Sequence, residues 1–122
     1  MPPVLVWFRR NLRLRDNAPL AAAVASGRPL IPIYISDSLD EGGASRWWLH
    51  HSLASLDQSL RGCGAKLVLR HGEPTSVLQD LVKQTGAAAI YFTRRYEPAA
   101  RQQEQTLESQ LSDQVDIEPF DD

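Results

Sequence analysis

The chain has 122 residues, 43% of them hydrophobic and 23% charged, which is the size and composition of one ordinary globular domain with no disorder-type tract. Its net charge of -2 provides no overall field for nucleic acid or an anionic membrane. Its one cysteine, Cys63, excludes an internal disulfide framework and fits a reducing cytoplasm, and the five apolar residues between Pro3 and Arg9 are too few for a signal-peptide core. No stretch approaches membrane-spanning length.

The first apolar run, VLVWF at 4–8, reads as a strand and is followed by RRNLRLR, four arginines within seven positions. Asp16 or Asn17 can cap a first helix that tolerates Pro19 in its opening turn. The second strand is LIPIYI at 30–35. In the helix after it, Leu49, Leu53, Leu56 and Leu60 recur at helical spacing and form one apolar stripe. Trp47 falls nearly opposite that stripe and Trp48 on its flank. Strands KLVLR (66–70) and AAIYF (88–92) precede helices whose first positions are Pro74 and Pro98. The last strand, VDIEPF at 115–120, alternates and carries Pro119, which suits a sheet edge. The first four strands are nearly continuous apolar runs, as strands covered on both faces should be.

This alternation predicts an α/β fold: a doubly wound, Rossmann-like, five-stranded parallel sheet, order 3-2-1-4-5, with helices on both faces and one domain over residues 1–122. Ligands of such sheets sit beyond the carboxyl ends of the strands where strand order reverses, here between strands one and four. Those ends carry Arg9, Arg10, Arg13, Arg15, Arg94 and Arg95, six of the thirteen basic residues. Two uses for them stay open. Charge-assisted hydrogen bonds, such as those Arg13 and Arg15 can make around Asp16, would tie the turn down; guanidinium groups free at the rim would meet an anion. The tryptophans divide in the same way, Trp48 against the sheet edge and Trp47 toward a ligand or another protein surface.

Other chemistries lack their residues. The first strand-to-helix turn has no glycine to bring backbone N–H groups against a phosphate, so dinucleotide and P-loop readings fail. His50, His51 and His71 have no partner at metal-ligand spacing, so no metal site is expected. Cys63 sits in a GCG turn without a neighbouring histidine, and no Gly-x-Ser-x-Gly elbow exists. No self-contained catalytic site is expected.

The same segments resemble the photolyase/cryptochrome flavoproteins. VWFRRNLRLRDNAPLAAAV is similar to that family's opening, with Asn11 and Pro19 where Asp and Ala are usual. SRWWLHHSLASLDQSLRGCGAKLVLRHGEP resembles the subgroup of plant cryptochromes and related bacterial cyclobutane-dimer photolyases. YFTRRYEP and VDIEPFDD resemble the family's fourth and fifth strands. The resemblance spans essentially the whole chain.

It implies the N-terminal α/β antenna domain of a deoxyribodipyrimidine photolyase, a lyase that uses light and reduced FAD to split cyclobutane pyrimidine dimers in DNA. FAD and damaged DNA would be bound by a C-terminal helical domain that this chain lacks, so the chain alone is expected to be inactive. The domain would hold an antenna chromophore, methenyltetrahydrofolate or 8-hydroxy-deazaflavin. Cofactor-binding candidates are Phe8, Arg9, Ile35, Ser36, Asp37, Trp47, Trp48, Arg94, Arg95 and Tyr96. One photolyase class holds its pterin with an Asn-Glu pair, and Ala99 and Ala100 stand in the matching positions, so a folate here would be held differently. Two alternatives accompany this reading: a cryptochrome-type blue-light photoreceptor domain with protein partners, and an isolated small-ligand-binding module without light function.

Overall fold

The computed structural model describes residues 2–9, 17–36, 43–62 and 64–120, with the side chains of 43–49 outside that description. In chain order the elements are β1 (Val4–Phe8), α1 (Ala18–Ala25), β2 (Leu30–Ser36), α2 (Gly43–Gly62), β3 (Val68–His71), α3 (Pro74–Thr85), β4 (Ala89–Thr93), α4 (Pro98–Leu111) and β5 (Asp116–Phe120). The strands form one sheet of order β3-β2-β1-β4-β5, parallel at every pairing. The expected fold and strand order are both present.

Period-two alternation in β1 builds two cores from five consecutive apolar residues. Leu5 and Trp7 join Leu78, Leu81 and Val82 of α3 and Leu107 and Leu111 of α4. Val4, Val6 and Phe8 join Leu20 and Ala23 of α1 and Leu56 and Leu60 of α2. All five side chains of β1 are buried, as a central strand with helices on both faces requires. The leucine stripe of α2 packs as its spacing predicts: Leu56 and Leu60 are buried and Leu53 lies against the same cluster. Leu49 lies outside the described side chains.

One strand departs from expectation. The apolar run at 66–70 predicts a strand covered on both faces, yet Leu69, Arg70 and His71 of β3 are exposed. The cause is position: β3 is four residues long and lies at the sheet edge, paired only with β2. β5 occupies the other edge, as Pro119 requires.

The helix ends follow their sequence signals. Asn17 caps α1, its Oδ1 accepting from the Leu20 N–H at 3.1 Å, and Glu73 caps α3 by accepting from the Ser76 N–H. Pro19, Pro74 and Pro98 sit in first turns. At the end of α2, Gly64 has φ +86, its N–H bonds to the Arg61 carbonyl, and the Ala65 N–H reaches back to the Leu60 carbonyl. This pair of bonds is a Schellman closure, which needs a left-handed residue. Asp57 then ties α2 to the entry of β3, accepting from the Leu67 N–H at 3.1 Å. Among the described residues no helix is long and apolar enough to cross a membrane.

Candidate ligand-binding rim

The main-chain ladder between β1 and β4 runs from Val4↔Ala89 to Trp7↔Phe92 and stops there. β1 continues against β2, with Phe8 opposite Tyr34, while β4 continues against β5, with Thr93 opposite Phe120. The two halves of the sheet therefore part at Phe8 and Thr93, and this is the point where strand order reverses.

Arg9 spans the parting. Alternation places it on the side of Leu5 and Trp7, toward α3 and α4. Its Nη1 donates to the Thr93 carbonyl at 3.2 Å and to Glu104 Oε2, on α4, at 2.6 Å. The guanidinium carbon lies 4.5 Å from the Trp7 ring centroid and 5.8 Å from that of Phe92, and the two rings pack tilted at 5.4 Å. The Arg9 side chain is only 2% exposed and that of Glu104 13%. Burial holds the Arg9 guanidinium below its ordinary range, and the Glu104 hydrogen bond opposes that shift. Nη2 of Arg9 is buried with no hydrogen-bond partner among the described residues.

Glu104 Oε2 also accepts from the Arg95 main-chain N–H at 3.0 Å. Just before it, the Arg94 N–H bonds to the Phe120 carbonyl. The segment leaving β4 is thus pinned at two consecutive amides, one to β5 and one to α4. From it Arg94 and Tyr96 reach solvent, Tyr96 at 67% exposure, whereas the Arg95 side chain is largely covered and pairs with Glu97 at 3.3 Å.

The sequence candidates therefore separate. Phe8 and Ile35 are core residues in opposite layers, and Arg9 is an internal cation. Ser36 is half-buried at the end of β2, where its carbonyl accepts from the Gly72 N–H. Arg94 and Tyr96 stand exposed at the end of β4. Trp47 and Trp48 lie in α2, but their side chains, like Asp37, Arg10, Arg13, Arg15 and Cys63, fall outside the described residues. Among the described residues no group of three or more His, Cys, Asp or Glu side chains is placed to hold a metal ion. Ala100 is fully buried in the first turn of α4, a packing residue, while Ala99 is exposed.

Sequence reasoning missed Glu104. On α4 it reads as one more charge of a polar helix, and its partner is 95 residues away. The available signal was the alternation Leu5, Trp7, Arg9, which aims a cation at the α3/α4 layer and so calls for a buried acid there.

A parallel doubly wound sheet whose switch point is closed by an arginine, with no glycine cradle, defines an α/β domain with a basic rim. The DNA photolyase family model matches residues 4–122, and the chain belongs to that family. A deoxyribodipyrimidine photo-lyase of Agrobacterium fabrum is 47% identical over 113 residues, covering 91% of this chain and 24% of that protein. Cryptochrome-1 of Arabidopsis thaliana is 45% identical over 100 residues, covering 77% of this chain and 14% of the relative. The crystal structure of a bacterial class III photolyase from Agrobacterium tumefaciens superposes with a TM-score of 0.92 at 44% identity, over 98% of this chain and 26% of that one. The fold is that of the family's N-terminal α/β domain, and the chain spans about a quarter of the length of these photolyases.

Proposed function

We propose that the chain is the antenna domain of a light-driven deoxyribodipyrimidine photolyase acting in the cytoplasm. The observation that carries the reading is the rim itself: an exposed phenol and an exposed guanidinium, Tyr96 and Arg94, on a segment pinned beside the switch point of a photolyase-family sheet. A flat chromophore with an anionic tail fits those groups, since an aromatic face suits its ring and arginine its carboxylate or phosphate. Methenyltetrahydrofolate or 8-hydroxy-deazaflavin would be held by Tyr96 and Arg94, with Ser36, Asp37, Trp47 and Trp48 completing the wall, and would supply absorption of light. Phe8, Ile35, Arg9 and Arg95 contribute by shaping the strand ends from beneath. No residue of this chain is assigned to FAD. That cofactor and damaged DNA belong to the helical domain that photolyases of full length carry, which is the domain's proposed partner.

A cryptochrome-type photoreceptor is the second reading, favoured by the 45% identity to a plant cryptochrome. Illuminating the full native protein with an oligonucleotide that contains a cyclobutane dimer separates the two. Restored thymines support the photolyase, and photoreduction of the flavin with the dimer left intact supports the cryptochrome. Titrating the two chromophores, with Arg94→Ala and Tyr96→Ala as variants, tests the rim; unchanged affinity in both variants would move the site elsewhere.

A further inference from the structure

We infer that Glu104 is a positioning residue for chromophore binding, an inference that rests on the antenna reading above. Its carboxylate sets the width of the switch-point crevice and the aim of the Arg94–Tyr96 segment without touching the ligand. The argument begins where the ladder stops. Past Trp7↔Phe92 the register of β1 with β4 does not continue among the described residues, and there the Arg9 side chain bridges the strand ends. Arg9 reaches from β1 to the last carbonyl of β4, and Glu104 Oε2 receives both that guanidinium and the Arg95 amide. A single oxygen therefore joins β1, the exit of β4, and α4.

The Arg95 N–H lies past the last β4–β5 pair, Thr93↔Phe120, and donates to Glu104 Oε2 at 3.0 Å. The largely covered Glu104 carboxylate holds that acceptor at a fixed position on α4, shared with the Arg9 guanidinium. Charge matters as well as shape, because the guanidinium it holds is covered by Trp7, Phe92 and the helix layer. Without the acid, the cation would leave its seat over the rings for water, and the crevice floor would move with it.

The test uses the full native protein with Glu104→Leu, Glu104→Gln and, as control, Glu108→Gln, whose side chain is exposed on the same helix. Binding of methenyltetrahydrofolate and of 8-hydroxy-deazaflavin is measured well below every variant's melting temperature, so that lost stability alone does not register. Wild type and Glu108→Gln should bind one chromophore equally, and Glu104→Leu should bind it about tenfold more weakly or worse, the lower end of what loss of an orienting outer contact costs at metal sites. Glu104→Gln, which keeps an acceptor for the Arg95 amide and loses the charge, should fall between them. Amide hydrogen exchange supplies the second readout: Arg95 should lose protection in the leucine variant and keep it in the glutamine variant. Folded Glu104 variants that bind as tightly as wild type overturn the inference while leaving the antenna reading intact. If Glu104→Leu does not fold, Glu104→Gln alone decides, and wild-type affinity in it is the overturning result. If wild type binds neither chromophore, the antenna reading falls and this inference with it.

Discussion

Removing the Arg9 side chain takes away a hydrogen bond to β4, the partner of a largely covered carboxylate, and a cation stacked on Trp7. Breaking a buried pair from one side costs about 3 to 5 kcal/mol, because the remaining charge is left without compensation. Arg9→Ala should lower the unfolding free energy by about that amount in urea melts, and Arg9→Lys by less, since an ammonium restores the charge but not the planar stack. An effect under about 1 kcal/mol, the range of exposed ion pairs, would mean that the pair is solvated. Asp57 offers a pH test of the opposite edge of the sheet. The Leu67 N–H, and then Arg61, hold its carboxyl below the ordinary aspartate value of about 3.9. A depressed folded-state value contributes stability above the unfolded value, and the contribution is lost as pH falls through the folded one. Stability followed by denaturant titration should therefore decline below about pH 4, and Asp57→Asn should flatten that part of the curve.

At the scale of elements, α1 has eight residues and no acidic side chain in its first turn, so its start depends on the Asn17 cap. Asn17→Ala should cost about 1 kcal/mol, as loss of an N-cap does, measured by thermal or urea unfolding. At the other end of the scale of packing, a Cβ at Gly64 meets nothing within 4 Å, so Gly64→Ala should cost about 1 kcal/mol through the left-handed backbone alone. A substantially larger loss would point to a clash that the open space there excludes. The proline and cap signals, the leucine stripe and the alternation of strands and helices were all legible, because each is a property of a few neighbouring residues. The edge exposure of β3 was not, although the strand order already placed it there: an apolar run does not say how many of its faces are covered. The Arg9–Glu104 pair was half legible. Alternation fixed the side on which Arg9 lies, but its acceptor depends on how α4 crosses the sheet. The division of the rim into buried Arg9, largely covered Arg95 and exposed Arg94 and Tyr96 likewise follows from packing, since four rim candidates within one motif pair read alike as sequence.

For the whole molecule, the Agrobacterium photo-lyase is about four times as long as this chain, which covers 24% of it. The 122 residues by themselves are expected to leave dimer-containing DNA unchanged under illumination and to be purified without FAD. Gel-resolved repair assays and visible absorption check both, and stoichiometric flavin on the isolated chain would reassign the rim to a flavin. The strand order has a further consequence for how the chain is made. β1 is the first strand of the chain yet lies at the centre of the sheet, and its pairing with β4 joins residues far apart in sequence, Val4 with Ala89 and Trp7 with Phe92. A growing chain that has emerged only through β3 can pair β1 with β2, but leaves the other edge of its most apolar strand open until Ala89–Thr93 arrives. Ribosome-bound intermediates between those two lengths should accordingly be the ones held by chaperones and attacked by proteases, and protection should appear as β4 clears the exit tunnel.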